Sequence, residues 1–183
     1  MEEFILNDSG ELFIRWNVNT NFRKLAMNEL VSMLLQEFRQ TGEAYQTFTE
    51  IDGKLIGGEK VAIIRNLREI IQISIEIKNI LFTKYIKTQN PSDKLKFKFI
   101  DEYSFQITYH YTEKEINSIK SVKEWYDNYF KVEVLNFIND LKRALDDKII
   151  TEEEALGLSE ILNQMIIGAA ILYNKLSYEN IIN

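Results

Sequence analysis

Ile71-Gln72-Ile73-Ser74-Ile75-Glu76-Ile77-Lys78 is the stretch on which the fold turns. Apolar and polar residues alternate through it, the pattern of a strand with one buried face. Isoleucine reinforces that pattern, because a β-branched side chain is stiff at χ1 and suits a pleated sheet. The flanks argue the other way. Over residues 59–86, Arg65, Arg68, Glu69, Gln72, Glu76 and Asn79 gather on one side of a helical wheel. Arg65 stands four residues before Glu69, and Arg68 four before Gln72. Between Arg65 and Asn79, apart from Asn66, Ser74 and Lys78, the remaining surface is apolar. The stretch therefore predicts a long, largely buried helix with one narrow polar stripe.

Upstream, Asp52-Gly53 between Phe48-Ile51 and Leu55-Ile56 predicts a β-hairpin over 44–56, with Gly57-Gly58 as punctuation. Phe22, Leu25, Leu30, Met33, Leu34 and Phe38 predict a helix over 20–41, with Asn19 or Thr20 as its cap and Gly42 as its stop. Phe4-Ile5-Leu6 and Leu12-Phe13-Ile14 flank Asn7-Asp8-Ser9-Gly10 and predict a hairpin over 3–18.

Downstream, Thr88-Gln89-Asn90-Pro91-Ser92-Asp93 is a loop by composition. It is where a subdomain boundary would fall. Leu95, Phe97 and Phe99 alternate with lysines, and Phe105, Ile107, Tyr109 and Tyr111 alternate with Gln106, Thr108 and His110. That is a third hairpin, over 94–111. Three capping boxes follow: Thr112 with Glu115, Ser121 with Glu124, and Thr151 with Glu154. They predict a short helix from 113, a long one over 122–147 and another over 152–176. Asp146-Asp147-Lys148 makes a connection short enough for an antiparallel helical hairpin. The fold class expected is α+β, antiparallel β-hairpins packed with helices, within a single domain of residues 1–183.

The chain has no cysteine, one histidine and one proline in 183 residues. Thiol catalysis, disulfides and multi-histidine metal centres are excluded. At 45% apolar content the chain has the means to bury a core. Its net charge of −6 opposes a nucleic-acid footprint, and its lysines are scattered. The start, Met1-Glu2-Glu3, lacks the basic and apolar regions of a secretory signal. The apolar segments near 61–82 and 155–176 are interrupted by polar groups. The expectations are a cytoplasmic location, no membrane contact and a bacterial or phage source.

Little points to chemistry. His110 is the one conventional base near neutral pH, with Glu113 and Glu115 close behind, but it falls on the polar face of a strand. Gly57-Gly58-Glu59-Lys60 lacks the glycine frame and the Lys-Ser or Lys-Thr of a phosphate loop. Asp146, Asp147, Glu152, Glu153 and Glu154 form an acidic cluster without the spacing of a calcium loop. No cofactor and no metal is called for. Trp125, Tyr126, Tyr129 and Phe130 place four aromatics within two turns, Trp125 with Tyr129 on one face and Tyr126 with Phe130 on the next. One pair is expected to pack inside and the other to meet a partner. Gly168-Ala169-Ala170 allows close helix approach, either within the fold or as the seam of a homodimer.

The expected function is that of a non-catalytic interaction protein, an acidic inhibitor, immunity or phage accessory protein. Its partner would be a macromolecule such as a basic nucleic-acid-handling protein, for example a host defence nuclease. The expected contact residues are Trp125, Tyr126, Tyr129, Phe130, Asp146, Asp147, Glu152 and Glu153. The alternatives are a homo-oligomeric structural or chaperone-like component and a carboxylate enzyme using a divalent metal.

Overall fold

The computed structural model describes residues 3–6, 11–52, 57–88 and 93–178. The fold is mixed α+β, with a four-stranded antiparallel sheet and several packed helices. Backbone contacts divide the chain into two units. One comprises Met1–Leu25 and Thr88–Ser118, the other Ala26–Lys87 and Ile119–Asn183.

The first unit holds the sheet: β1 (Glu3–Leu6), β2 (Glu11–Asn17), β3 (Lys96–Phe99) and β4 (Ser104–His110). Its strand order is β1-β2-β4-β3, so the two hairpins meet along β2 and β4. Register sorts the side chains. Leu12 pairs with Tyr109, Ile14 with Ile107 and Trp16 with Phe105, all six buried on one face. Phe97 and Phe99 join that face opposite Ile107 and Phe105. Lys96 and Lys98 alternate to the other face of the edge strand, where exposed lysines oppose edge-to-edge association. The predicted turn at 7–10 lies outside the described residues.

The β3–β4 turn is organised by one aspartate. Asp101 Oδ1 accepts the Tyr103 N–H at 2.7 Å and the Ser104 hydroxyl at 3.0 Å. The Tyr103 N–H bond, before the others, draws the Asp101 carboxyl below its usual range. Arg23, in a 3-10 turn at Thr20–Lys24, donates to the Asp101 and Ser104 carbonyls and lies over the Phe99 ring. Asn19 caps that turn by accepting the Asn21 N–H. The predicted helix over 20–41 is therefore interrupted: Leu25 is extended, and α1 begins only at Met27. Helix α3 (Glu113–Ser118) follows β4, with the Thr112–Glu115 capping box formed in both directions.

The described elements of the second unit are all helical: α1 (Met27–Asp52), α2 (Gly58–Lys84), α4 (Val122–Glu124), a π-helical turn (Trp125–Phe130), α5 (Lys131–Leu145) and α6 (Glu152–Tyr178). α2 packs on both α1 and α6, and α6 also receives α5 and the π-helical turn. Central position explains the alternating isoleucines. Every residue from 70 to 78 of α2 is buried, so the helix meets neighbours all round and needs no single apolar face. The predicted helix over 59–86 is realised. Gly57 at φ 52° makes the turn into it, a conformation that suits glycine.

The predicted hairpin over 44–56 is not formed in its described part, because residues 44–52 continue α1. Gly42 does not stop that helix. A Cβ added there would stand 2.7 Å from Tyr126 Cζ and closer to its hydroxyl, so the glycine gives room to a ring from the π-helical turn. Leu55 and Ile56 lie outside the described residues. The long helix expected over 122–147 appears as the helical run 122–145, and the last helix as α6. The Thr151–Glu154 capping box opens α6 as predicted. Within that last helix, Glu152–Ser177 is long and apolar enough to cross a membrane by length and composition alone. A central bundle helix has the same hydropathy, and 72% of its most apolar window is buried.

Candidate functional site

The four clustered aromatics occupy the π-helical turn. The Lys131 N–H donates to the Tyr126 carbonyl, five residues back, while the flanking dihedrals stay helical. In an α-helix, residues five apart diverge by about 140° around the axis. The wider turn brings Trp125 and Phe130 onto one side. Both are 1% exposed, and their rings stack at 5.0 Å with planes 10° apart. Neither expected pair goes inside as a pair. Trp125 and Phe130 are core residues, which corrects their expected place on a contact surface, while Tyr126 and Tyr129 stay half-buried.

Trp125 reaches α6. Its ring atoms lie 3.6 Å from the position a Cβ would take at Gly168, and Ala169 and Ala170 are fully buried beside it. The small-residue patch thus serves packing within the chain.

Tyr126 runs outward from this core. It stacks on Phe38 at 5.6 Å, with planes 25° apart, and on Tyr45 at 6.4 Å, with planes 20° apart. Phe38 meets Phe130 edge-on. Phe38, Tyr45 and Tyr126 are each half-buried, so three parallel rings form a ledge between α1 and the π-helical turn. Exposed Glu43 and Asp127 flank it in sequence. Burial raises the Tyr126 hydroxyl above its usual range, with a smaller contribution from Asp127. Sequence reading missed Phe38 and Tyr45 as partners of this ring, because the hairpin expected over 44–56 placed Tyr45 in a strand.

The acidic residues lie elsewhere. Asp146, Asp147 and Glu153 are exposed around the α5–α6 connection, and Glu152 is half-buried. At 1.5 Å per residue, the length of α5 separates Asp146 from Phe130 by about 24 Å along the axis. The two expected contact groups are not brought together. The acidic side chains also have local work. Asp147 accepts the Ile149 N–H, Glu152 accepts the Lys87 N–H, and Glu154 accepts the Thr151 N–H. Lys148, at φ 65°, turns the chain between them.

A second constellation lies inside the helical unit. Glu37 and Thr41 continue the buried stripe of Leu30 and Leu34 on α1. Glu37 faces Glu69 and Arg65 of α2. Burial first, then the hydrogen bond to Glu69 and its charge, push the Glu37 carboxyl up to about 8, against an opposing pull from Arg65. Arg68 donates to the Tyr173 hydroxyl at 2.9 Å. Fully buried Lys78 donates to Asn163 Oδ1 of α6 and lies near the Phe82 ring. The sequence offered one signal for Glu37: a polar residue in phase with the leucine stripe.

His110 is exposed at the end of β4 opposite Glu11. Gly57 and Gly58 are exposed at the start of α2. Among the described residues, no group of three or more His, Cys, Asp or Glu side chains is placed to hold a metal ion. An open depression of about 270 Å³ on α1 is lined by Ser32, Leu35, Gln36 and Arg39. Comparison of the chain with protein-family models, curated proteins and solved structures finds no match.

Proposed function

We propose that the protein is a non-catalytic binder of another protein, and that it binds through the ledge of Phe38, Tyr45 and Tyr126. The observation that carries this reading is the stacking of three half-buried rings between two helices. Rings already held parallel lose little conformational freedom on contact, and tyrosine offers broad apolar area with a polar edge. Glu43 and Asp127 at its border, with the net charge of −6, favour a partner whose apolar patch is rimmed by basic residues. A nucleic-acid-handling protein with a basic groove, such as a host defence nuclease, is the partner class this charge balance favours.

Affinity capture from lysate of the source cell, with the wild type beside Tyr45→Ala and Asp127→Lys, tests the reading. Both substitutions lie at half-buried or exposed positions and leave the Trp125–Phe130 stack in place. The expected result is a stoichiometric partner whose recovery falls at least tenfold with either variant and is unchanged by Asp146→Lys. Equal recovery by the wild type and both ledge variants rejects the ledge as the contact.

A further inference from the structure

Glu37 sits at an interface that suits a charge poorly. Only 7% of its surface is exposed, and its neighbours along the buried stripe are Leu34 and Thr41. Across the interface it faces Glu69 and Arg65 of α2. Glu37 Oε2 and Thr41 Oγ1 are enclosed and make no hydrogen bond among the described residues. A carboxylate so enclosed, with no donor bonded to that oxygen and another acid facing it, is disfavoured against its protonated form.

The facing groups are few. From α2 they are Glu69, half-buried, and Arg65, whose side chain is largely in water. The π-helical turn places titratable Tyr126 against Phe38 and Gly42 of the same stretch. α5 carries half-buried Glu133, whose carboxyl is raised by burial. Among the described residues, Arg65 is the cation that acts on the Glu37 carboxyl, and neither Tyr126 nor Glu133 contributes.

We propose that the α1–α2 interface is a proton-held latch: a proton on the enclosed Glu37 carboxyl keeps this part of α1 seated on α2, and its loss loosens the seat. The sign follows from linkage. A carboxyl raised in the folded state, to about 8 for Glu37, binds its proton more tightly folded than unfolded. Its contribution is fully present below the ordinary glutamate value, declines as pH rises, and is gone above the folded value. Phe38, next to Glu37, belongs to the ledge, so loosening α1 would also disturb the Phe38–Tyr126 stack.

The test compares wild type, Glu37→Gln and Glu69→Gln. Glutamine retains the shape and a donor without a titrating proton. Thermal midpoints are measured from about pH 5 to about pH 9, across the window in which the linkage acts. The wild-type midpoint is expected to fall by several degrees, Glu37→Gln to lose most of that fall and Glu69→Gln a smaller part of it. Amide exchange over residues 34–41 of the wild type should rise above pH 8 faster than base catalysis alone requires. A flat wild-type midpoint, or a fall of equal size in folded Glu37→Gln, overturns the latch. Should neither variant fold, wild-type exchange that follows base catalysis alone overturns it.

Discussion

Trp125 and Phe130, five residues apart, stack within a π-helical turn with planes 10° apart. The pair ties that turn to Gly168 on α6 and, through Phe38, to α1. It stands where three helical segments meet, and its enclosure is nearly complete.

Truncating that contact should be costly. Trp125→Ala removes a fully enclosed ring and leaves a cavity against α6 that the backbone has little freedom to fill. The expected loss is about 3–5 kcal/mol of unfolding free energy. Tyr129→Ala, in the same turn but half-buried, should cost under about 1.5 kcal/mol. Urea denaturation of both variants measures the contrast.

Gly42→Ala sets two effects against each other. Alanine gains about 1 kcal/mol in helix propensity over glycine. Its Cβ would also strike the Tyr126 ring, which its stack on Phe38 and Tyr45 restrains from swinging away. Overpacking of that kind costs about 1–3 kcal/mol, so the net expectation is a loss of about 1 kcal/mol. In a Tyr126→Ala background the same substitution should stabilise. A double-mutant cycle by denaturation gives the sign of the coupling.

The Lys78–Asn163 bond joins α2 to α6 inside the helical unit. Asn163→Ala takes an acceptor from a fully buried ammonium and should cost about 2–3 kcal/mol. Replacing both partners with apolar residues of similar length, Lys78→Met with Asn163→Leu, removes the desolvation penalty too and should be nearly neutral. Comparable losses in the single and double variants would contradict this account of the bond.

Tyr111 is 4% exposed, and its hydroxyl makes no hydrogen bond among the described residues. Burial, before the influence of Tyr109 and Glu115, pushes that hydroxyl upward. Tyr111→Phe removes an unsatisfied polar atom and leaves the ring in place. The thermal midpoint should hold or rise, by an amount equivalent to about 1 kcal/mol. A clear fall would mean that the hydroxyl has a partner in solution.

Much of this fold was legible wherever the local signal was complete. The β3–β4 hairpin alternates strictly with a polar opposite face, and a one-residue slip of β2 would expose Leu12, Ile14 and Trp16 together. Thr112, Ser121 and Thr151 meet their helix-entry amides through bonds spanning only three residues. The hairpin expected over 44–56 fails for the converse reason. Asp52-Gly53 suits a turn and Gly42 suits a helix stop, but neither residue records that Tyr126, distant in sequence, needs the space at Gly42.

The candidate sites divide in the same way. Aromatic richness at 125–130 is plain from the chain alone, yet which rings turn inward depends on a backbone bond from Lys131 to Tyr126 that no local propensity predicts. Nor could spacing reveal that Glu37 would meet Glu69, or Lys78 would meet Asn163. Alternation, capping boxes and the absence of cysteine are properties of the chain itself, set by bonds and preferences within a few residues. The Trp125–Phe130 stack, the seat for Tyr126 at Gly42 and the enclosed Glu37 carboxyl belong to helix packing. They depend on side chains from separate helices competing for one volume.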